Sequence, residues 1–474
     1  MPRVWQALRN GDWLTRERIR LVAAAVLIAS VAGFAFLVAT AHGGVDRQGR
    51  PLGTDFSNVY AAGTYVLEGK PDIPFDPPRQ YAREQDIFGK ATPFYGWHYP
   101  PYFLFVAGAL AKLPYGVALT VWQASTLALY LLMIWAVARS SFRGVRSASP
   151  ESIATVQPAV SQGASSTPGL WIPDSRGACH RAGHFGPDPL AASGMTLLLA
   201  LAYPAVLINI GHGQNGFLTA ALLGGALLFL DRRPIFAGIL IGLLVYKPQF
   251  GLMIPLALIA GGYWRAFAAA VATVAALTLV TTLVFGPQVW PAFAASTEFS
   301  RSVVLEQGQT GWEKIQSIFS WARMWGAPIP LAYALQGALT IALGVAIVRL
   351  WRSAAAPALK SAALCLAAIL ATPYSLDYDM MVLAPAIAFF AADGLRRGFG
   401  PWEKTILAAL WFVPLLARSV AGATLIPLGV PAMLATFILV LWRAEHQHKQ
   451  AFDSYHSTIA VGGGARGHDI AAFD

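Results

Sequence analysis

The chain has 474 residues, 56% hydrophobic and only 12% charged, with a mean hydropathy of +0.53. Soluble domains carry roughly a quarter charged residues, so this composition excludes an ordinary soluble enzyme and indicates an all-α polytopic membrane protein. The net charge of +10 matches a nucleic-acid binder in size but not in distribution. Lys and Arg gather in short connections between apolar runs, as the positive-inside rule describes, so the expected partner is the lipid bilayer and not nucleic acid.

The first element is apolar. "MPRVWQALRNGDWLTRERIR" carries five Arg and precedes "LVAAAVLIASVAGFAFLVATA". Ala39-Thr40-Ala41 mimics a signal-peptidase site, but the run exceeds the roughly 7 to 15 residues of a signal h-region. It reads as a spanning helix with a cytoplasmic N-terminus. Further spans are expected near 116–138, 193–209, 216–230, 235–246, 250–263, 266–286, 329–350, 358–372, 379–392, 404–418 and 423–442. With the first run this makes about twelve crossings, some short enough to need tilting. Both termini then lie in the cytoplasm of a multi-pass protein of the cell's inner (plasma) membrane. Pro101 to Pro114 is apolar but short, and reads as interfacial or re-entrant, because a full crossing there inverts every later loop.

One membrane domain over 1–442 is therefore expected, with a polar cytoplasmic tail over 443–474. Within it, residues 140–193 form a Ser-, Pro- and Gly-rich insertion that reads as a disordered cytoplasmic loop. Cys179 and Cys365 lie in a polar and an apolar segment, so no disulfide framework is in view. No repeat of about 20 to 50 residues is apparent.

With this topology, polar residues collect at the outer helix ends. A long first extracytoplasmic loop, "GTDFSNVYAAGTYVLEGKPDIPFDP", holds Asp55 and Tyr60. "GWHYPP" follows with His98 and Tyr99, then "GHGQNG" with His212, Gln214 and Asn215, then "YKPQ" with Lys247 and Gln249. The loop over 286–328 offers Glu298, Glu306 and Glu313; "TPYSLDYD" presents Asp377 and Asp379, and Arg418 stands at another outer turn. Each has a plainer reading. Lys247 and Arg418 can snorkel to headgroups, His98 can belong to an aromatic belt, Asp377 and Asp379 can cap a helix, and the loop carboxylates can be solvated. Glu68, Asp72 and Asp76 read as loop residues, the last two within a Pro-rich surface strap. The Gly and Pro in "GHGQNG" and "YKPQ" break helices at membrane depth, however, and broken backbone is tolerated there only against protein or a cavity. An outward cavity is expected.

No dinucleotide fingerprint, phosphate loop, "HExxH" or paired "CxxC" occurs, and no metal or cofactor is called for. A cavity on that face lacks cytosolic nucleotides, so a transferase would draw its donor from the lipid. A phosphate leaving group departs unprotonated. Glycosyl transfer from a polyprenyl-phosphate sugar then needs one carboxylate as general base, where a glycosidase uses two. Lys247, His98, Gln214 and Arg418 suit the departing phosphate, and Tyr60, Tyr65, Tyr95 and Tyr99 suit sugar faces or the interface.

"GTDFSNVYAAG", "EGKPDIPFDP", "YPPYFLF", "YPAVLINIGHGQNGFL", "LIGLLVYKPQFGLMIPL" and "ATPYSLDYDMMVLAP" stand in the order seen in glycosyltransferase family 87. This is a family of GT-C-class membrane enzymes similar to α-1,2-mannosyltransferases. The resemblance implies a multispanning helical fold, an extracytoplasmic active site, a polyprenyl-phosphate sugar donor, a lipid or glycan acceptor, and Asp55 as the base. It also implies site roles for Tyr99 to Pro101, Gln214 and Lys247. The amide beside Gln214 carries over more weakly, since the family pattern often has an apolar residue before Asn, whereas Asn215 follows Gln214 directly. The competing class is a transporter or flippase of lipid-linked sugars, which is expected to show inverted repeats and ionisable groups at the bilayer midplane.

Overall fold

The computed structural model describes residues 2–146 and 189–464. The described residues hold no named strand, only isolated bridges such as Ile315 with Leu376. Helices run in the order α1 Pro2–Asn10, α2 Arg16–Ala39, α3 Phe56–Leu67, α4 Pro77–Phe88, α5 Leu104–Leu110, α6 Tyr115–Arg146, α7 Pro189–Leu201, α8 Pro204–His212, α9 Gly216–Phe229 and α10 Pro234–Leu243. They continue as α11 Met253–Ala260, α12 Trp264–Phe285, α13 Val289–Phe299, α14 Ile318–Met324, α15 Ile329–Arg352, α16 Pro357–Leu370, α17 Leu383–Arg397, α18 Glu403–Thr424 and α19 Gly429–Gly464.

Crossing a bilayer takes about 20 apolar residues at 1.5 Å each. Among the described residues six helices meet that standard: α2, Tyr115–Ser140 within α6, α12, α15, Asp377–Arg397 and α18. The bent pair Gly194–Leu201 and Pro204–His212, which turns by 50°, makes a seventh if it crosses as one. Each apolar segment expected from the sequence is helical over most of its length, but four of the twelve are too short to cross upright, and the last, near 423–442 at the start of α19, is not among the six. Those near 216–230, 235–246, 250–263 and 358–372 are helices of 14, 10, 8 and 14 residues. Pro101–Leu110 is likewise a short apolar helix.

Burial differs among the short helices: α9 and α16 lie inside, whereas α10 exposes Ile235 and Phe236 and α11 exposes Leu256 and Ile259. Residues Leu359 and Ser361 to Leu370 of α16 are all buried, as a helix apolar on every side requires. By contrast α2 buries only Ala23 and leaves Leu21, Ile28 and Phe36 exposed, the signature of a helix facing lipid. The insertion expected over 140–193 falls mostly outside the described residues, although α6 stays helical to Arg146. The tail begun at 443 is helical through Gly464.

Two segments expected as loops are folded. The Pro-rich strap after α3 turns inward, burying Ile73, Pro74 and Phe75, and Asp76 caps α4 by accepting the Arg79 N–H at 3.3 Å. Glu68 forms a fork with Arg83 at 2.5 and 3.1 Å; these bonds to Arg83, with Lys70 beside it, hold its carboxyl down at about 2. The 286–328 stretch forms α13, a π-helical turn Ser300–Glu306 and α14. Its carboxylates are not all solvated: Glu306 is 15% exposed and binds Arg301 at 3.0 Å and the Tyr333 hydroxyl at 3.0 Å.

Close packing sets the position of α3. A Cβ on Gly63 would stand 2.1 Å from the Ala107 carbonyl oxygen, and one on Gly108 would stand 2.8 Å from Val66 Cγ1. Helix α5 therefore lies directly against α3, whose N-terminus carries Asp55.

Candidate active site

Asp55 enters on a tight turn. Gly53 has φ +69°, and the Phe56 N–H closes onto the Gly53 carbonyl at 2.6 Å. The Asp55 carboxylate makes no cap to its own helix. Instead its Oδ2 accepts from Gln214 Nε2 at 2.6 Å, and His212 Nδ1 lies 3.9 Å from the same oxygen. His212 Nδ1 is also 2.7 Å from Thr54 Oγ1, the residue before Asp55. Asp55 is 20% and His212 33% exposed, so both are reachable from outside the protein.

The turn carrying His212 and Gln214 is held as firmly. Gly213 ends α8 in the left-handed region at φ +64°, its carbonyl accepts from Trp122 Nε1 at 3.2 Å, and the Gln214 N–H reaches the Asn209 carbonyl at 3.0 Å. Tyr99 OH donates to Gln214 Oε1 at 3.2 Å, which fixes the amide with its nitrogen toward Asp55. A Cβ on Gly213 would fall 2.5 Å from Phe56 Cβ. Gly213→Ala is therefore expected to cost about 1 to 3 kcal/mol in backbone strain alone. It should push the turn off α3, and a lowered unfolding midpoint in detergent checks it.

Asn215 is 2% exposed with both side-chain polar atoms unpartnered, and its N–H meets Gln214 Oε1 at 3.3 Å. A buried amide left unpaired costs about 1 to 3 kcal/mol, so its polar edge is available to a water or ligand.

A second cluster lies beside the first. Lys247 and Asp379, 4% and 2% exposed, form a buried ion pair. Asp379 also accepts the Leu376 N–H at 3.0 Å, so it does cap its turn, and Lys247 Nζ lies 5.2 Å from the Tyr378 ring centre. Lys247 is thus neutralised within the protein and does not snorkel. Asp377 is 5% exposed and accepts the Tyr378 N–H at 2.8 Å; the basic side chains acting on it are His212 and Arg418, with Asp55 opposing. Arg418 itself is exposed on α18.

The remaining candidates separate. His98 Nδ1 lies 2.7 Å from Ser300 Oγ, and desolvation pushes its imidazole down to about 4. It is neutral at pH 7 and serves as a hydrogen-bonding group, not a cation. Tyr60 spends its hydroxyl on the Leu113 carbonyl at 3.0 Å and packs edge-on against Tyr115, outside the Asp55 network. Gln249 is half-buried on the turn after Lys247. Among the described residues no cluster of three or more His, Cys, Asp or Glu is placed to hold a metal ion.

Thr54, Asn209 and Glu84 were not singled out from the sequence. Asn209 bonds the Tyr378 carbonyl and the Gly216 N–H, each at 2.9 Å, tying the two clusters together. A lone Asn inside the apolar "PAVLINIGH" was the available signal, since a buried amide needs partners.

Fold and site together define a helical membrane protein with an acid-centred polar site at one end of its helices. The family model for glycosyltransferase family 87 matches residues 97–373, more than half of the chain. The chain belongs to this family and is a membrane glycosyltransferase. The matched span includes His98, Tyr99, His212, Gln214, Asn215, Lys247 and Gln249, whereas Asp55, Tyr60, Asp377 and Arg418 lie outside it. No curated protein and no solved structure matches the chain.

Proposed function

We propose that this glycosyltransferase moves a hexose, with mannose as the first candidate, from a polyprenyl-phosphate donor to a lipid or glycan acceptor, with inversion and with Asp55 as general base. The site faces away from the cytoplasm, on a GT-C-like frame in which short helices complete about twelve passes. The observation that carries this reading is the convergence on Asp55: a carboxylate 20% exposed, oriented by Gln214 at 2.6 Å and flanked by His212 at 3.9 Å, from segments 159 residues apart.

The chemistry needs no second acid. The acceptor oxygen attacks the anomeric carbon and its proton passes to Asp55; the bond from that carbon to the phosphate oxygen breaks, and polyprenyl phosphate leaves with the electron pair. His212 and the exposed Arg418 are the basic groups placed to meet the phosphate. Lys247, paired with Asp379, holds the turn that presents Asp377. A transporter is not favoured, because Asp55, His212, Lys247, Asp377 and Asp379 gather around helix breaks and the family is enzymatic.

Purified protein in proteoliposomes, offered radiolabelled polyprenyl-phosphate mannose or a nucleoside-diphosphate mannose, is expected to transfer label only from the lipid-linked donor. Transfer from the soluble nucleotide sugar alone sinks the reading.

A further inference from the structure

Helix α4 holds a carboxyl outside the hydrogen-bond network of Asp55. Glu84 is fully buried, and neither of its side-chain oxygens has a hydrogen-bond partner of good geometry. Among the described residues no Lys or Arg pairs with it. Arg83 is committed to Glu68 and Thr64, and Asp86 to Lys90 at the surface.

The groups that act on Glu84 come from its own helix, from α3 and from the 89–99 segment. On its own helix Gln80 is one turn away, also fully buried, with Nε2 donating to the Asn58 carbonyl at 2.9 Å and Oε1 unpartnered. From the N-terminus of α3 comes the field of Asp55. From the 89–99 segment come the backbone N–H groups of Tyr95 and Gly96. Tyr95 adds a hydroxyl that burial and nearby acids keep protonated, with Arg50 the one base acting against them. A carboxyl buried without a counter-charge favours its protonated form, which donates a hydrogen bond as well as accepting one.

We propose that Glu84 is a positioning residue that works as the neutral acid. It fastens the 92–99 segment onto α4 and so holds Tyr99 against Gln214 and, through Gln214, Asp55. The proposal rests on the reading of Asp55 as the centre of the site. The connections run both ways from Glu84. Gln80 ties α4 to the first turn of α3, while Tyr81 donates to the Thr92 carbonyl at 3.0 Å and packs edge-on against Phe94. Beyond Phe94 the chain reaches His98 and Tyr99.

Burial pushes the Glu84 carboxyl up to about 8, with the Asp55 charge adding to the rise and the facing amides opposing it. Its folded value lies above the ordinary carboxylate value, so the folded protein binds this proton more tightly than the unfolded chain does. Stability therefore falls as pH rises from the ordinary carboxylate range to about 8 and levels off above it. Ionisation places a second negative charge behind Asp55, where it loosens the segment and repels a phosphate donor.

The test compares the full wild-type chain with Glu84→Gln and Glu84→Ala, by unfolding midpoint against pH in detergent and by transfer of radiolabelled mannose from polyprenyl-phosphate mannose to membrane lipids. Glu84→Gln is expected to flatten the fall in midpoint, to transfer near the wild-type rate at neutral pH, and to lose the wild-type decline in transfer above about pH 8. Glu84→Ala is expected to transfer about 10²-fold more slowly, the cost of a misplaced segment. Two outcomes overturn the proposal: a wild-type pH slope of the midpoint in Glu84→Gln, or a folded Glu84→Gln as slow as Glu84→Ala. Failure of the underlying reading looks different: Asp55→Asn then transfers at the wild-type rate, while the midpoint slopes are untouched.

Discussion

Asp55→Asn is expected to leave the chain folded and to slow transfer by about 10²- to 10⁴-fold, the range for a lost general base. That corresponds to about 3 to 5 kcal/mol of transition-state stabilisation. Asn keeps the shape of Asp and keeps an oxygen for the Gln214 amide, whose nitrogen stands 2.6 Å from the carboxylate. What it lacks is a place for the proton of the acceptor hydroxyl. Membranes carrying the variant, assayed with lipid-linked sugar alongside an unfolding measurement, separate the two effects. An unchanged midpoint with slowed transfer supports the base; unchanged transfer removes Asp55 from that role.

The second large effect concerns the buried pair of Lys247 and Asp379. Lys247→Met leaves the Asp379 carboxylate 2% exposed and without its counter-charge. Breaking a buried pair in this way costs about 3 to 5 kcal/mol, whereas replacing both partners with apolar residues is often close to neutral. Lys247→Met alone is therefore expected to lower the unfolding midpoint sharply, and Lys247→Met with Asp379→Leu to recover most of it. Transfer distinguishes the roles of the lysine. A double variant that regains activity with its fold shows that Lys247 holds the Asp377 turn; one that folds but stays inactive shows that Lys247 meets the donor.

Much of this was legible locally. The apolar runs from α2 to α19 are visible in sequence because a helix in lipid must be apolar over its own length. The breaks at "GHGQNG" and "YKPQ" announce themselves because Gly and Pro end helices whatever surrounds them. Depth and order were less legible. Helices α9, α10, α11 and α16 read as spans because apolar residues look alike whether they face lipid or protein. The strap after α3 and the 286–328 stretch read as loops because their helices are short and depend on tertiary packing. The grouping of His212 and Gln214 was local, but their meeting with Asp55 was not.

The sequence by itself determined a helical membrane protein with a carboxylate outside its first long helix and polar clusters at its helix breaks. The tertiary structure decided which of those groups meet. It joined Asp55 to Gln214 across 159 residues and Lys247 to Asp379 across 132, and it left Tyr60 on a backbone carbonyl. It also exposed the isolation of Glu84, whose 0% exposure no local pattern announces. The physical reason is that helix formation follows from neighbouring residues, whereas the partner of a buried charge is set by how whole helices pack, as where Gly63 lets α5 close on α3.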